Sequence, residues 1–140
     1  MNPGTIEADQ FLPHPPARVW RALIEPELMG RWLVPPTGFA PVLGQRFSFD
    51  MGEWGTTWCE VLEVVPERLL RISWRNEPLD TTVTFRLVPE GTGTRLLLAH
   101  EGFDLDDPAD RAAHEGMGEG WRTNVVQRLD AVLAGLAAGA

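Results

Sequence analysis

Two copies of the tripeptide His-Glu-Gly, starting at His100 and His114, are the first candidates for chemistry. Histidine next to glutamate is common in zinc sites, where imidazole nitrogens and carboxylate oxygens bind the metal. Neither copy continues to the HExxH pattern, which places two imidazoles on one face of a helix, and the lone Cys59 provides no thiolate pair. The sequence therefore predicts no metal site, and we expect no cofactor.

An acidic run at Asp104, Asp106 and Asp107 resembles the opening of a calcium-binding loop. Pro108 stands where the third ligand belongs, however, and the glycine and distal glutamate of such a loop are absent. An Asp followed by a Pro is instead typical of a helix start, because the carboxylate caps the exposed amides and proline fits the first turn. We expect a helix to begin here.

The chain offers few candidate nucleophiles for covalent catalysis. Ser48 and Ser73 fall on the predicted outward faces of strands, and no GxSxG turn presents either one. Cys59 is either a nucleophile beside His100 or a small buried apolar residue, and its position in a strand favours the second interpretation. No glycine-rich loop follows a strand, so nucleotide chemistry has no support.

His100 is the one polar side chain that the strand pattern directs inward, alongside Leu96 and Leu98. It is therefore either a hydrogen-bonded core histidine or a polar contact inside a cavity. Glu60 is a candidate inward partner. Its strand is apolar on both sides from Val61 onwards, so the inner face there cannot be assigned without allowing for a β-bulge.

The elements that must position these residues can be read from the periodicity of the sequence. Two short helices are predicted, the first over 16–25 and the second from Pro26, because proline fits the first turn of a helix. The segment 33–44 is rich in proline and glycine and is predicted to be a loop. Alternation with a period of two then predicts an antiparallel meander over 44–101.

Apolar residues recur at steps of three and four in the last part of the chain and predict a long helix. The stripe comprises Trp121, Val125, Leu129, Val132 and Leu136. Just before it, glycines stand at 116, 118 and 120, and each costs about 1 kcal/mol in a helix interior relative to alanine. We therefore expect these glycines to lie between two helical pieces.

Length and composition predict one globular domain over residues 1–140, with 44% hydrophobic and 23% charged residues. The formal charge of −8 argues against nucleic-acid and membrane partners, which basic surfaces usually meet. The sequence starts with neither a basic segment nor a long apolar run, so we expect a cytoplasmic protein. Six Trp and six Phe without any Tyr indicate either a lined cavity or a thick core. Monomer and homodimer are both compatible with the composition.

Nearly the whole chain resembles the family of activator of heat-shock protein 90 ATPase homologues, within the START-related (SRPBCC, birch-pollen-allergen-like) superfamily. The motifs that carry the resemblance are PPARVWRALIEPELMGRW at 15–32, LGQRFSFDM at 43–51, EVLEVVPERLLRISW at 60–74, TVTFRLVPEGTGTRLLLAHEGF at 82–103, and GW followed by leucines at 120–133. The resemblance implies an α+β helix-grip fold, in which a curved antiparallel β-sheet of about six strands wraps a long C-terminal α-helix, with two short helices after the first strand. It also implies a cavity between sheet and helix, with the glycine run either at its mouth or in a simple inter-helix loop.

The leading hypothesis is a binding domain without catalysis, which holds a small, largely apolar or aromatic molecule between sheet and helix. The predicted ligand-binding residues are Phe47, Phe49, Trp58, Trp74, Phe85, Leu98, His100, Met117 and Trp121. The resemblance raises a second hypothesis, stimulation of a chaperone ATPase in the stress response, with a chaperone as partner. Superfamily members that act as polyketide cyclases or dehydratases raise a third, in which His100 is a base and Glu60 its partner.

Overall fold

The computed structural model describes residues 4–76 and 79–139, which form a seven-stranded antiparallel sheet and its covering helices. The strands are β1 (Ile6–Leu12), β2 (Pro36–Thr37), β3 (Arg46–Asp50), β4 (Thr56–Val65), β5 (Leu69–Asn76), β6 (Leu79–Glu90) and β7 (Gly93–Glu101). The helices are α1 (Pro16–Ile24), α2 (Pro26–Trp32), α3 (Pro108–Glu119) and α4 (Val126–Gly139), and a π-helical turn at Gly120–Val125 joins α3 to α4. The strand order is β1-β7-β6-β5-β4-β3-β2, so the predicted α+β architecture is confirmed.

The two short helices begin where the sequence predicts. Pro16 opens α1 and Pro26 opens α2, because proline has no amide hydrogen to lose in the first turn. The indole N–H of Trp32 donates to the carbonyl oxygen of Ala22 at 2.8 Å, which ties the end of α2 to α1. Helix α4 packs against both of these helices. The core therefore lies between one face of the sheet, called the inner face below, and this group of helices.

The segment 33–44, predicted as a loop, contains the short strand β2. Pro36 pairs with Phe49 and Thr37 pairs with Ser48, which adds a seventh strand to the six expected. A strand of two residues shows no alternation, and its proline is more typical of loops, so sequence periodicity could not identify it.

A β-bulge settles which side of β4 faces inward. The pairing of β4 with β5 shifts register between Val61 and Glu63, as the run of apolar residues on both sides indicated. Before the shift, Cys59 and Val61 are buried on the inner face. Trp58 and Glu60 alternate with them and therefore point to the outer face.

The glycines at 116, 118 and 120 lie within one continuous helical segment, so the predicted break between two helical pieces was wrong. Helix α3 includes the first two, and the backbone N–H of Gly120 still bonds the carbonyl oxygens of Gly116 and Met117. The helix leaves α geometry at Gly120, the last of the three glycines and the first residue of the π-helical turn. The irregularity is thus a wider turn rather than a loop.

Two local interactions offset the cost of these glycines. The Asp107 carboxylate accepts hydrogen bonds from the backbone N–H groups of Ala109 at 2.8 Å and Asp110 at 3.3 Å, which caps α3. Gly118 is buried beside Ile6 of β1, and a Cβ there would lie 3.9 Å from the Ile6 side chain. The helix therefore packs close to the edge strand at this position.

The glycines at 116 and 120 have no such packing role, which gives a test. A Cβ at either position meets nothing within 4 Å, and both residues have helical backbone angles. We expect Gly116→Ala and Gly120→Ala each to raise the free energy of unfolding by about 0.5–1 kcal/mol, because alanine loses less backbone entropy on folding. Urea denaturation followed by tryptophan fluorescence measures this.

The matched control is Gly102→Ala. Gly102 has a φ of +103°, and a Cβ there would lie 3.2 Å from the backbone oxygen of Asp80, so alanine should destabilise the protein. Loss of stability in Gly116→Ala or Gly120→Ala would show that these glycines have a structural role in the folded state that the packing does not reveal.

Candidate functional site

The candidate site is built around His100, which is fully buried on the inner face of β7. The Thr81 hydroxyl on β6 donates to the carbonyl oxygen of Trp74 at 2.8 Å, so its only proton is already used. Its oxygen, 2.7 Å from Nε2 of His100, therefore accepts a hydrogen bond from that nitrogen. The Nδ1 nitrogen of His100 accepts from the indole N–H of Trp121 at 3.0 Å. These bonds fix a neutral imidazole whose proton is on Nε2.

Burial lowers the pKa of His100 from 6.5 to about 3, because the imidazolium form would lose its hydration, and His114 lowers it further through charge repulsion. A proton on Nδ1 would also face the N–H of Trp121 and break that hydrogen bond. His100 is consequently neutral near pH 7, with both nitrogens engaged. A general base works best with a pKa near the operating pH, so this arrangement does not suit proton abstraction.

Aromatic rings surround the imidazole. The ring centroids of Trp74, Phe85 and His100 lie 5.9, 6.0 and 6.1 Å from that of Trp121, all in edge-on arrangements. Phe103 lies 4.7 Å from His100 on another side. Further ring contacts extend this cluster through Phe49, Phe47 and Phe39 in one direction and to Trp32 and His114 in others. The inner face of the sheet therefore presents a nearly continuous aromatic surface around the His100 imidazole and its Thr81 partner.

The structure brings most of the predicted ligand-binding residues together. The residues that are buried on the inner side are Phe47, Phe49, Trp74, Phe85, Leu98, His100 and Trp121. Met117 on α3 is partly buried and packs against the same core. Their role as ligand contacts stays a prediction. Thr81 was missed, although its alternation with Val83 and Phe85 along β6 places it on the same inner face.

Trp58 lies apart from the other predicted residues. It is 63% exposed on the outer face, where Ser48 and Arg75 are its neighbours in register. There it lines a depression of about 660 Å³ together with both neighbours. Trp58 alternates with the buried Cys59 along β4 and points to the opposite face, so it cannot contact a molecule held between sheet and helix.

The space between sheet and helix is occupied by side chains. In the described ranges 4–76 and 79–139, the inner rings contact one another, and the depressions of about 660 and 330 Å³ are lined mainly by residues of the outer face. The indole of Trp121 lies at the centre of these ring contacts, and the cavity that the family resemblance implied stays a prediction.

Glu60 and Cys59 do not complete a catalytic site with His100. Glu60 lies on the outer face, where one carboxylate oxygen is 3.5 Å from Nε of Arg46. Cys59 is buried on the inner face, and burial raises the pKa of its thiol to about 12. The thiol is therefore protonated and inert near pH 7. Among the residues that the structure describes, no group of three or more His, Cys, Asp or Glu side chains is arranged to hold a metal ion.

Comparison with protein families decides the classification. The model of the family described as activator of Hsp90 ATPase homolog 1-like protein matches residues 13–134. The chain belongs to this family. No curated protein matches the sequence significantly. Within the described residues, no helix is both long enough and apolar enough to cross a membrane.

Solved structures extend the family comparison. Protein MLL2253 from Mesorhizobium loti is 35% identical with a TM-score of 0.82, over 93% of this chain and 96% of that one. Protein CV1439 from Chromobacterium violaceum is 27% identical with a TM-score of 0.70, over 93% and 97% of the two chains. CalU16 from Micromonospora echinospora is 25% identical with a TM-score of 0.66, over 97% and 90%. The helix-grip fold implied by the family resemblance is confirmed.

The buried imidazole makes stability depend on pH in a defined direction. The pKa of His100 is lower in the folded state than in the unfolded chain, so between about pH 6.5 and pH 3 the unfolded chain binds an extra proton. Stability is therefore lost as the pH falls through this window, by up to about 1.4 kcal/mol per pH unit from this group. Urea denaturation at several pH values measures the slope.

His100→Gln is the comparison variant. The glutamine amide can accept a hydrogen bond from Trp121 and donate one to Thr81, but it does not titrate. The slope of the free energy of unfolding against pH should therefore become shallower between about pH 6 and pH 4. Equal slopes in the two proteins would contradict a buried neutral imidazole.

The thiol of Cys59 should be unreactive in the folded protein. At pH 8 the native protein should react with Ellman's reagent on the order of 100-fold more slowly than the urea-unfolded protein, because burial limits both access and thiolate formation. The unfolded sample controls for reagent and pH. Rapid reaction of the native protein would place Cys59 in an accessible, polar environment.

Proposed function

We propose that this domain binds a small, largely apolar molecule between the inner face of the sheet and the C-terminal helix, without catalysis. The observation that carries the proposal is the aromatic surface that surrounds a buried, neutral imidazole, His100. Binding sites for small molecules combine apolar and aromatic walls with a few placed polar groups. Proteins of this fold generally hold small hydrophobic ligands, which supports the same conclusion.

The chemistry of the site favours binding over catalysis. His100 is neutral with both nitrogens engaged, and Glu60 points to the opposite face of the sheet. Cys59 is protonated because burial raises its pKa to about 12. These features count against the cyclase or dehydratase hypothesis, which needs a base with access to the substrate.

Stimulation of a chaperone ATPase is the alternative that the family description raises. It would use the protein surface rather than the aromatic interior. A pull-down with a chaperone, combined with an ATPase assay, tests it. If the chaperone is not enriched and its ATPase rate does not change, this alternative is ruled out.

Mass spectrometry gives the first test of ligand binding. The freshly purified protein should show a discrete extra mass under native conditions that is lost on denaturation. Where no molecule co-purifies, titration with 2-naphthol, a planar apolar probe, should still show saturable binding. Absence of both results would contradict the proposed function.

A pair of variants locates the site within the protein. Phe85 contacts Trp121 in the aromatic cluster, and Phe85→Leu removes part of that wall. We expect 2-naphthol to bind several-fold more tightly to this variant, because the probe fills space that the smaller side chain leaves empty. Trp58→Leu makes a comparable change on the outer face and should leave the affinity unchanged. The reverse pattern would place the probe in the outer depression.

A further inference from the structure

The indole of Trp121 has the properties expected of a bound ligand. It is planar, 3% exposed and enclosed by the rings of Trp74, Phe85 and His100. Its single polar atom donates a hydrogen bond to Nδ1 of His100 at 3.0 Å. A molecule that donates a hydrogen bond to Nδ1 of His100 must therefore displace this side chain.

We infer that Trp121 occupies the ligand position, and that the natural ligand is an apolar aromatic molecule with one hydrogen-bond donor, such as a phenolic hydroxyl, which bonds Nδ1 of His100 in place of the Trp121 indole. This inference rests on the proposed function and adds the chemical class of the ligand.

The hydrogen-bond directions decide why the ligand must donate. Thr81 uses its proton for the carbonyl oxygen of Trp74, so Nε2 of His100 carries the imidazole proton and Nδ1 can only accept. A ligand with only acceptor atoms, or a carboxylate, would place its own lone pair against that of Nδ1, with no hydrogen between them. A buried acceptor without a partner weakens binding by about 10-fold or more.

The enclosing rings set the shape of the ligand. The rings of Trp74, Phe85 and His100 meet the Trp121 indole edge-on, with interplanar angles of 65°, 76° and 74°. The position that they enclose holds a flat, two-ring indole, so a ligand of that size and shape suits it. Naphthalene has this shape, so 2-naphthol resembles the indole in both size and donor chemistry.

The helix around Trp121 is built in a way that allows the exchange. Trp121 lies in the π-helical turn Gly120–Val125, where the regular α-helical hydrogen bonds of α3 and α4 are already interrupted. Single π turns are frequent at functional sites. A Cβ at Gly116 or Gly120 would meet nothing within 4 Å, so the helix is loosely packed at these two positions beside Trp121.

The test compares 2-naphthol with 2-methoxynaphthalene, which has the same rings but no donor. Isothermal titration should give the naphthol an affinity about 10-fold higher for the wild-type protein. Trp121→Phe removes the internal competitor for Nδ1, so we expect it to bind 2-naphthol about 10-fold more tightly than wild type and to widen the preference over the methyl ether. Trp58→Phe is the same substitution on the outer face and should change neither affinity.

His100→Leu removes the acceptor and should abolish the preference between the two probes. Should this variant fail to fold, the Trp121→Phe result decides alone. Equal binding of both probes to wild type and to Trp121→Phe would overturn the donor requirement and leave the proposed function intact. If neither protein binds either probe, the inference is overturned, and the proposed function falls with it when no molecule co-purifies either.

Discussion

A buried imidazole needs a partner for each nitrogen, and this requirement organises the centre of the protein. The hydrogen bonds run in one direction, from Trp121 to His100, from His100 to Thr81, and from Thr81 to the carbonyl oxygen of Trp74. The series connects the C-terminal helix to β7, β6 and β5. Any movement of the helix at Trp121 leaves Nδ1 of His100 without a donor. The position of the helix and the polarity of the interior are therefore coupled.

The two faces of the sheet have opposite chemistry, which protects this arrangement. The inner face carries aromatic and aliphatic side chains, and the outer face carries the charges. Cross-strand ion pairs on the outer face are Arg46–Glu60, Arg71–Glu63, Arg75–Asp80 and Arg95–Asp9. Exposed pairs contribute at most about 1 kcal/mol each, so their main effect is on strand register. Because the charges stay outside, the interior has a low dielectric constant, in which the hydrogen bonds of His100 are stronger.

Much of the fold could be predicted from local patterns, and the exceptions have physical reasons. Period-two alternation identified the strands, and prolines marked the starts of α1 and α2. The Asp107 cap of α3 was predicted, but the continuous helix through Gly116 and Gly118 was not, because helix propensity is local, whereas the packing of α3 beside Ile6 appears only in the folded structure.

The candidate site was predicted less completely than the fold. Alternation placed His100 and most of the aromatic residues on the inner face. Trp58 was wrongly assigned to the site. Which residues of β4 face inward depended on a β-bulge whose position the sequence did not give. Thr81 was overlooked, and no pattern reveals which way a hydroxyl proton points. That direction, which fixes His100 as an acceptor, depends on the carbonyl oxygen of Trp74 in a neighbouring strand.

The two-residue strand β2 lies at one edge of the sheet, where a strand of another molecule could pair. A sheet with a free edge can pair with the edge of another molecule, which is a route to aggregation. At one edge of this sheet stands Pro36, which has no N–H to offer a further strand. At the other edge, α3 packs against β1, and Arg122 donates to the carbonyl oxygen of Glu7. Both edges thus offer fewer free backbone groups to a strand of another molecule than two long, uncovered strands would.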